Sequence, residues 1–170
     1  MKKFARDYLF LFGIAGLIVL LDQLSKYLVR TQIPYAEQWS PWPWLLPYAR
    51  LVHWNNTGAA FGLFQGMNLV FMILAVIVSG VIIYYFPKVP RQDWLMRLAL
   101  AFQLGGAVGN LIDRILYGTV TDFISVGTFA VFNVADSCIT IGVVLLAIDL
   151  LLKEKQERTR HQQPPPEPLS

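Results

Sequence analysis

NLVFMILAVIVSGVIIYYF, residues 68–86, carries no charged side chain over nineteen positions. At 1.5 Å per residue, a helix of that length measures about 28 Å, close to the hydrocarbon thickness of a bilayer. The surrounding chain of 170 residues is 55% hydrophobic and 15% charged, with a mean hydropathy of +0.49. A soluble domain of this size cannot hide so much apolar surface. Three more segments have spanning length: about Tyr8–Val29, Trp94–Ile115 and Phe129–Leu152, each with polar residues near one end. Spanning segments are helical unless they close a barrel, and these lack the alternation of barrel strands. The expected fold is therefore an all-α membrane protein of four transmembrane helices.

The N-terminus imitates a secretory signal, with Lys2 and Lys3 before the run Leu9–Leu21. No small-x-small cleavage site follows, and the run continues into a helix-compatible polar stretch. It is read as an uncleaved first helix. Lys2, Lys3 and Arg6 precede that helix, Lys88, Arg91 and Arg97 flank the second link, and Lys153, Lys155, Arg158 and Arg160 follow the fourth span. These clusters fall on one side, which the positive-inside rule makes cytoplasmic. Both termini are expected inside. The net charge of +3 is read as membrane topology, and no nucleic-acid partner is expected.

One membrane domain is expected over residues 1–152, with an outer loop at about 30–67. In that loop, Trp39, Trp42 and Trp44 among prolines read as an interfacial belt. Ala49 to Trp54 has strand-like content, Asn55-Asn56-Thr57-Gly58 supplies a turn, and Ala59 to Phe64 follows, so a small β-rich, hairpin-like element is expected there. Residues 153–170, charged and ending near Pro164-Pro165-Pro166, read as a disordered cytoplasmic tail.

Ionisable groups inside a bilayer are expensive and usually functional. Helical rise places Asp22 about 21 Å across from the inner side, Asp113 about 28 Å across, and Asp136 about 10 Å below the outer surface. With Asp122 just past the third helix, four carboxylates gather in the outer half, while Asp149 reads as a solvated charge at the inner end. Asn110, Asp113 and Arg114 share one helix face, as do Asn133 and Asp136, so each carboxylate has an amide to orient it. Arg114 beside Asp113 suggests a clamp. Gly105 and Gly109 form a G-x-x-x-G, whose meaning is close helix packing.

Other chemistries find no support. Cys138 lacks an activating base, since His53 lies in the outer loop and His161 in the tail. H-E-x-x-H and an intramembrane Ser/His pair are both absent, and no metal or cofactor is expected. Paired carboxylates remain. One holds a proton while the other is ionised, the arrangement for amide hydrolysis by activated water. Spacing alone leaves open which two of the four form the pair. It also leaves open a proton- or ion-coupled transporter, or a scaffold in which the acids only join helices.

Five motifs narrow this reading: Asp22-Gln23-Leu24-Ser25-Lys26, Asn56-Thr57-Gly58-Ala59-Ala60-Phe61, the stretch GGAVGNLIDR at 105–114, Val120-Thr121-Asp122-Phe123, and Phe132-Asn133-Val134-Ala135-Asp136. In this order they closely resemble the prolipoprotein signal peptidases, or signal peptidase II. The resemblance covers nearly all of residues 6–152. It implies a multi-pass enzyme of the bacterial inner membrane, with its active site towards the outer face. It implies an aspartyl endopeptidase that cuts diacylglyceryl prolipoproteins before the lipid-modified cysteine and is inhibited by globomycin. Carried over by motif, the catalytic pair is Asp122 and Asp136. Asp22, Lys26, Asn56, Gly58, Asn110, Asp113, Arg114 and Asn133 support the site and bind substrate. The expected partners are substrate and membrane lipid, and the expected state is a monomer.

Overall fold

The computed structural model describes residues 2–58 and 63–162. In chain order these form α1 (Lys2–Gln32), β1 (Gln38–Trp39), β2 (Ala49–Asn56), α2 (Asn68–Tyr85), α3 (Trp94–Tyr117), β3 (Val120–Val126) and α4 (Val134–Gln162). All four helices are long and apolar enough to cross a membrane, as their run lengths imply.

The third helix is the hub. Half of its most apolar window is buried, against 17–22% for the other three, and α1, α2 and α4 each pack on it. Its small residues allow the close approach. A Cβ on Gly109 would lie 2.7 Å from an Asp22 carboxylate oxygen, and one on Gly105 would lie 2.8 Å from Ile18 Cβ. The glycine motif thus works by contact, as expected. Leu11, Ala15, Ile82, Phe86, Ala101 and Leu104 form the apolar core joining α1, α2 and α3. Elsewhere the spans turn large side chains outward, among them Leu20, Leu69, Ile77 and Leu151, each more than half exposed, as a helix in lipid does.

The strands form one antiparallel sheet in the order β1-β2-β3. The β-rich element expected in the outer loop is present as β1 and β2, and the sheet extends beyond that loop. β2 pairs with β1 on one side and on the other with β3, which comes from the α3–α4 connection. Leu63 and Phe64 lie in a turn, and Ala59 to Gly62 fall outside the described residues. Between Leu51 and Trp54 the β2–β3 register slips at a bulge. A second core of Val29, Ile33 and Phe123 fastens the sheet to the end of α1.

Two boundaries differ from the sequence expectation. α4 begins at Val134 rather than near Phe129, because Phe132 is bridged to Ile124 and the chain reverses there. Asp136 therefore lies in the first turn of α4 instead of about two turns in. At its far end α4 runs on to Gln162, so 153–162 are helical where disordered chain was expected. Residues 153–158 are good helix formers, and Glu154–Arg158 (2.6 Å) and Asp149–Lys153 (2.8 Å) make i,i+4 ion pairs. Asp149 is consequently buried and paired rather than solvated. Residues 163–170 lie outside the described residues.

Candidate active site

The site assembles where the sheet meets α1, α3 and α4. Asp122 sits on β3, with Asn56 diagonally across on β2. Two amides hold its carboxylate: Asn56 Nδ2 donates to Oδ2 at 2.9 Å and Asn133 Nδ2 to Oδ1 at 2.7 Å. The Phe132–Ile124 bridge folds the chain back and so brings Asn133, the residue before α4, beside β3.

Asn133 also organises Asp136. Its backbone N–H donates to Asp136 Oδ2 (3.2 Å), and the Asp136 N–H donates to Asn133 Oδ1 (2.9 Å). This reciprocal pair is a capping box, with Asn and Asp in the two roles. Asn110 of α3 donates to Asp136 Oδ1 at 2.8 Å. One asparagine therefore touches both carboxylates, and the positive end of the α4 dipole lies beside Asp136.

Behind this pair is a buried ionic layer. Lys26, fully buried, reaches Asp22 at 2.8 Å, Asn110 Oδ1 at 2.9 Å and Asp113 at 3.3 Å. Asp22 Oδ1 accepts the Ala135 N–H of α4 (2.9 Å), and Asp113 Oδ2 accepts the Thr121 N–H of β3 (3.0 Å). Asp22, Lys26, Asp113 and Asn133 have no exposed surface. Buried charges of this kind persist only when every member is paired and hydrogen-bonded.

Two expected partnerships fall differently. Arg114 makes no ion pair with Asp113. Residues i and i+1 on a helix face different ways, and Arg114 turns to the Gly58 carbonyl (3.3 Å) and the Phe71 ring (5.2 Å) instead. The cations on Asp113 come from α1, as Lys26 and, at 3.6 Å, Arg30. Likewise Asn110 crosses to Asp136 instead of orienting Asp113 on its own face.

Sequence reasoning did not single out Gln23, Arg30 or Thr121. Gln23 Nε2 joins Asp22, Asp113 and the Gly109 carbonyl within 3.1 Å. A polar residue next to Asp22 inside a span was the available signal. Arg30, at the C-terminal end of α1, bonds Thr121 and stacks on Tyr117. At the opposite end of the bundle a second cluster also went unforeseen: Asp7, 2% exposed, pairs with Arg97 at 2.8 Å and Arg91 at 3.0 Å.

The carboxylates of Asp122 and Asp136 both line a cavity of about 730 Å3 between α2 and α4, floored by α3. Asn56, Gly58, Asn110 and Arg114 share its polar end, and Phe71, Leu74 and Val78 of α2 wall the rest. Burial pushes the Asp122 carboxyl up to about 7, and the negative charge of Asp136 adds to the effect. Hydrogen bonds from Asn56 and Asn133 and the charge of Lys26 pull the other way. The result is a carboxyl that keeps its proton up to about 7, lining the same apolar trough as a second carboxylate.

Known proteins resemble this chain in sequence and fold. Residues 14–152 match the family described as signal peptidase (SPase) II. The chain belongs to the signal peptidase II family. It is 41% identical over 146 residues to the lipoprotein signal peptidase of Shouchella clausii (strain KSM-K16), covering 85% of this chain and 95% of that protein. The lipoprotein signal peptidase of Staphylococcus aureus (strain JH9) is 37% identical over 142 residues, with coverage of 81% and 85%. A bacterial membrane enzyme solved in meso at 2.3 Å superposes with a TM-score of 0.78 at 32% identity, covering 94% of this chain and 93% of its own. A second such enzyme, solved at 1.9 Å, gives 0.74 at 34% identity, covering 83% and 92%. A signal peptidase II is a protease, and this one is a multi-pass membrane protein.

Proposed function

We propose that this protein removes the signal peptide from diacylglyceryl-modified prolipoproteins, cutting before the lipid-modified cysteine, with Asp122 and Asp136 as an aspartyl dyad. The observation that carries the reading is Asn133, which holds both carboxylates at the polar end of one apolar cavity. The names of the relatives supply the substrate class, and the apolar walls suit a substrate that stays in the membrane.

In the first step Asp136 takes a proton from water as the oxygen attacks the scissile carbonyl carbon. Asp122 gives its proton to the carbonyl oxygen. In the second step the C–N bond breaks. Asp136 passes its proton to the departing nitrogen, and Asp122 recovers one from a hydroxyl of the diol. Both groups return to their starting states, and no covalent intermediate forms. Asn56, Asn110 and Asn133 keep the two carboxyls in place, and the Lys26 layer holds β3, α3 and α4 together behind them. Arg114 lines the cavity, its Nε is unpaired among the described residues, and it serves as a donor for substrate carbonyls.

The Lys/Arg clusters support a topology with the Phe86–Trp94 link inside the cell and this site towards the outer face of the bacterial inner membrane. The test is direct. Purified protein is mixed with a lipid-modified prolipoprotein and the products are resolved by size and mass. Release of a signal peptide ending immediately before the modified cysteine is expected, with competitive block by globomycin. No cleavage, or cleavage equally fast without the lipid, overturns the proposal.

A further inference from the structure

Four residues of α3 face the cavity at helical spacing: Gln103, Ala107, Asn110 and Arg114. Asn110 and Arg114 belong to the carboxylate end. Gln103 lies seven residues away, about 10 Å along the helix, in the stretch walled by Leu74, Val78 and Ile139. Its side-chain amide makes no hydrogen bond among the described residues, although its Cγ packs against Gly142 of α4. The other polar side chains of that wall are already committed to their own helix: Ser137 Oγ donates to the Asn133 carbonyl and Thr140 Oγ1 to the Asp136 carbonyl, both at 2.9 Å. Gln103 is thus an uncommitted amide facing an apolar trough at a fixed distance from the dyad, where an unmet polar group is costly.

A bound peptide chain carries the matching need. A peptidase acts on an extended chain, and unwinding a helix frees peptide N–H and C=O groups that lipid and aliphatic walls cannot satisfy. An extended chain advances about 3.3 Å per residue, so the roughly 10 Å of α3 between Asn110, which holds Asp136, and Gln103 corresponds to three residues. A glutamine side chain offers a donor and an acceptor together, the complement of one peptide unit.

We propose that Gln103 hydrogen-bonds the main chain of the bound signal peptide about three residues upstream of the scissile bond, and so sets how far the chain is drawn into the cavity. This rests on the function proposed above. Gln103 is a specificity-determining residue: it touches substrate and takes no part in proton transfer.

The test compares wild type with Gln103→Leu, similar in volume, on a synthetic lipid-modified prolipoprotein in liposomes. The expected result is a KM raised about tenfold, the scale of one net hydrogen bond, with kcat and its pH profile unchanged. A substrate whose third upstream amide is replaced by an ester should lose a similar factor with wild type and little more with Gln103→Leu, because the two changes remove one interaction. A substrate with ether-linked instead of ester-linked chains should leave the defect intact. An unchanged KM for Gln103→Leu overturns this inference while the proposed function stands. Disappearance of the defect on the ether-linked substrate also overturns it, by assigning the contact to the lipid carbonyl. Failure of wild type to cleave the parent substrate overturns both.

Discussion

Replacing Asp122 by asparagine separates the catalytic role proposed for this carboxyl from what it does to stability. In the unfolded chain it ionises near 3.8, and in the fold burial moves it to about 7. Between those values the folded state binds more protons than the unfolded state. The fold therefore loses stability as pH rises from about 4 to about 7, then levels off. A shift of about three units at about 1.4 kcal/mol each makes this about 4 kcal/mol at pH 8. Asparagine removes that penalty. It also turns one acceptor into a donor facing Asn56 or Asn133, a lost hydrogen bond of about 1 kcal/mol. Asp122→Asn should thus be less stable than wild type by about 1 kcal/mol at pH 4 and more stable by about 3 kcal/mol at pH 8. Turnover should vanish at both. The assay is denaturation in mixed micelles across pH 4–8.5, with cleavage measured on the same samples. A stability difference that does not change with pH refutes the electrostatic argument. Substantial turnover by the variant refutes the dyad.

Three further outcomes follow from the same geometry. The kcat profile should fall as pH rises through about 7, where Asp122 loses the proton that the proposed dyad donates; Asn56→Ala, which deletes a bond favouring the anion, should move that limb to higher pH, and a limb unmoved or moved lower would contradict it. Lys26→Met leaves Asp22 and Asp113 buried without their shared cation and should destabilise by about 3–5 kcal/mol, read as loss of folded protein in membranes; a variant as stable as wild type would show that the ionic layer holds nothing. Gly109→Ala drives a Cβ into the Asp22 carboxylate and should reduce activity at least tenfold by parting α1 from α3, checked by cleavage rate together with a thermal melt; normal turnover would mean that the helices separate without harm.

The four helices were legible because run length against bilayer thickness is a strong signal. The start of α4 was not, because Phe129 to Phe132 is as apolar as the helix it precedes, and composition does not mark where a chain turns back on a strand. β3 was missed for a related reason. It is seven residues long, and its partner β2 lies more than sixty residues earlier, so nothing local announces the pairing. In the site, residue type was readable and partnership was not. Asp22, Asp113, Asp122 and Asp136 stand out as acids near membrane depth, but the cation on Asp113 arrives from α1 instead of from its neighbour Arg114. Chain proximity suggested the wrong partner, and helix geometry decides the right one.

The i,i+4 bond between Asp22 and Lys26 also bears on how the protein is made. Helix α1, made before the other three, carries these two charges already facing each other, so that the pair can enter the bilayer without net charge. Asp113 has no such companion on its own helix and meets its cations only when α3 docks against α1. Partition of the third span into lipid is therefore coupled to the presence of the first, and a nascent chain stripped of α1 should stall at the translocon with α3 outside the membrane.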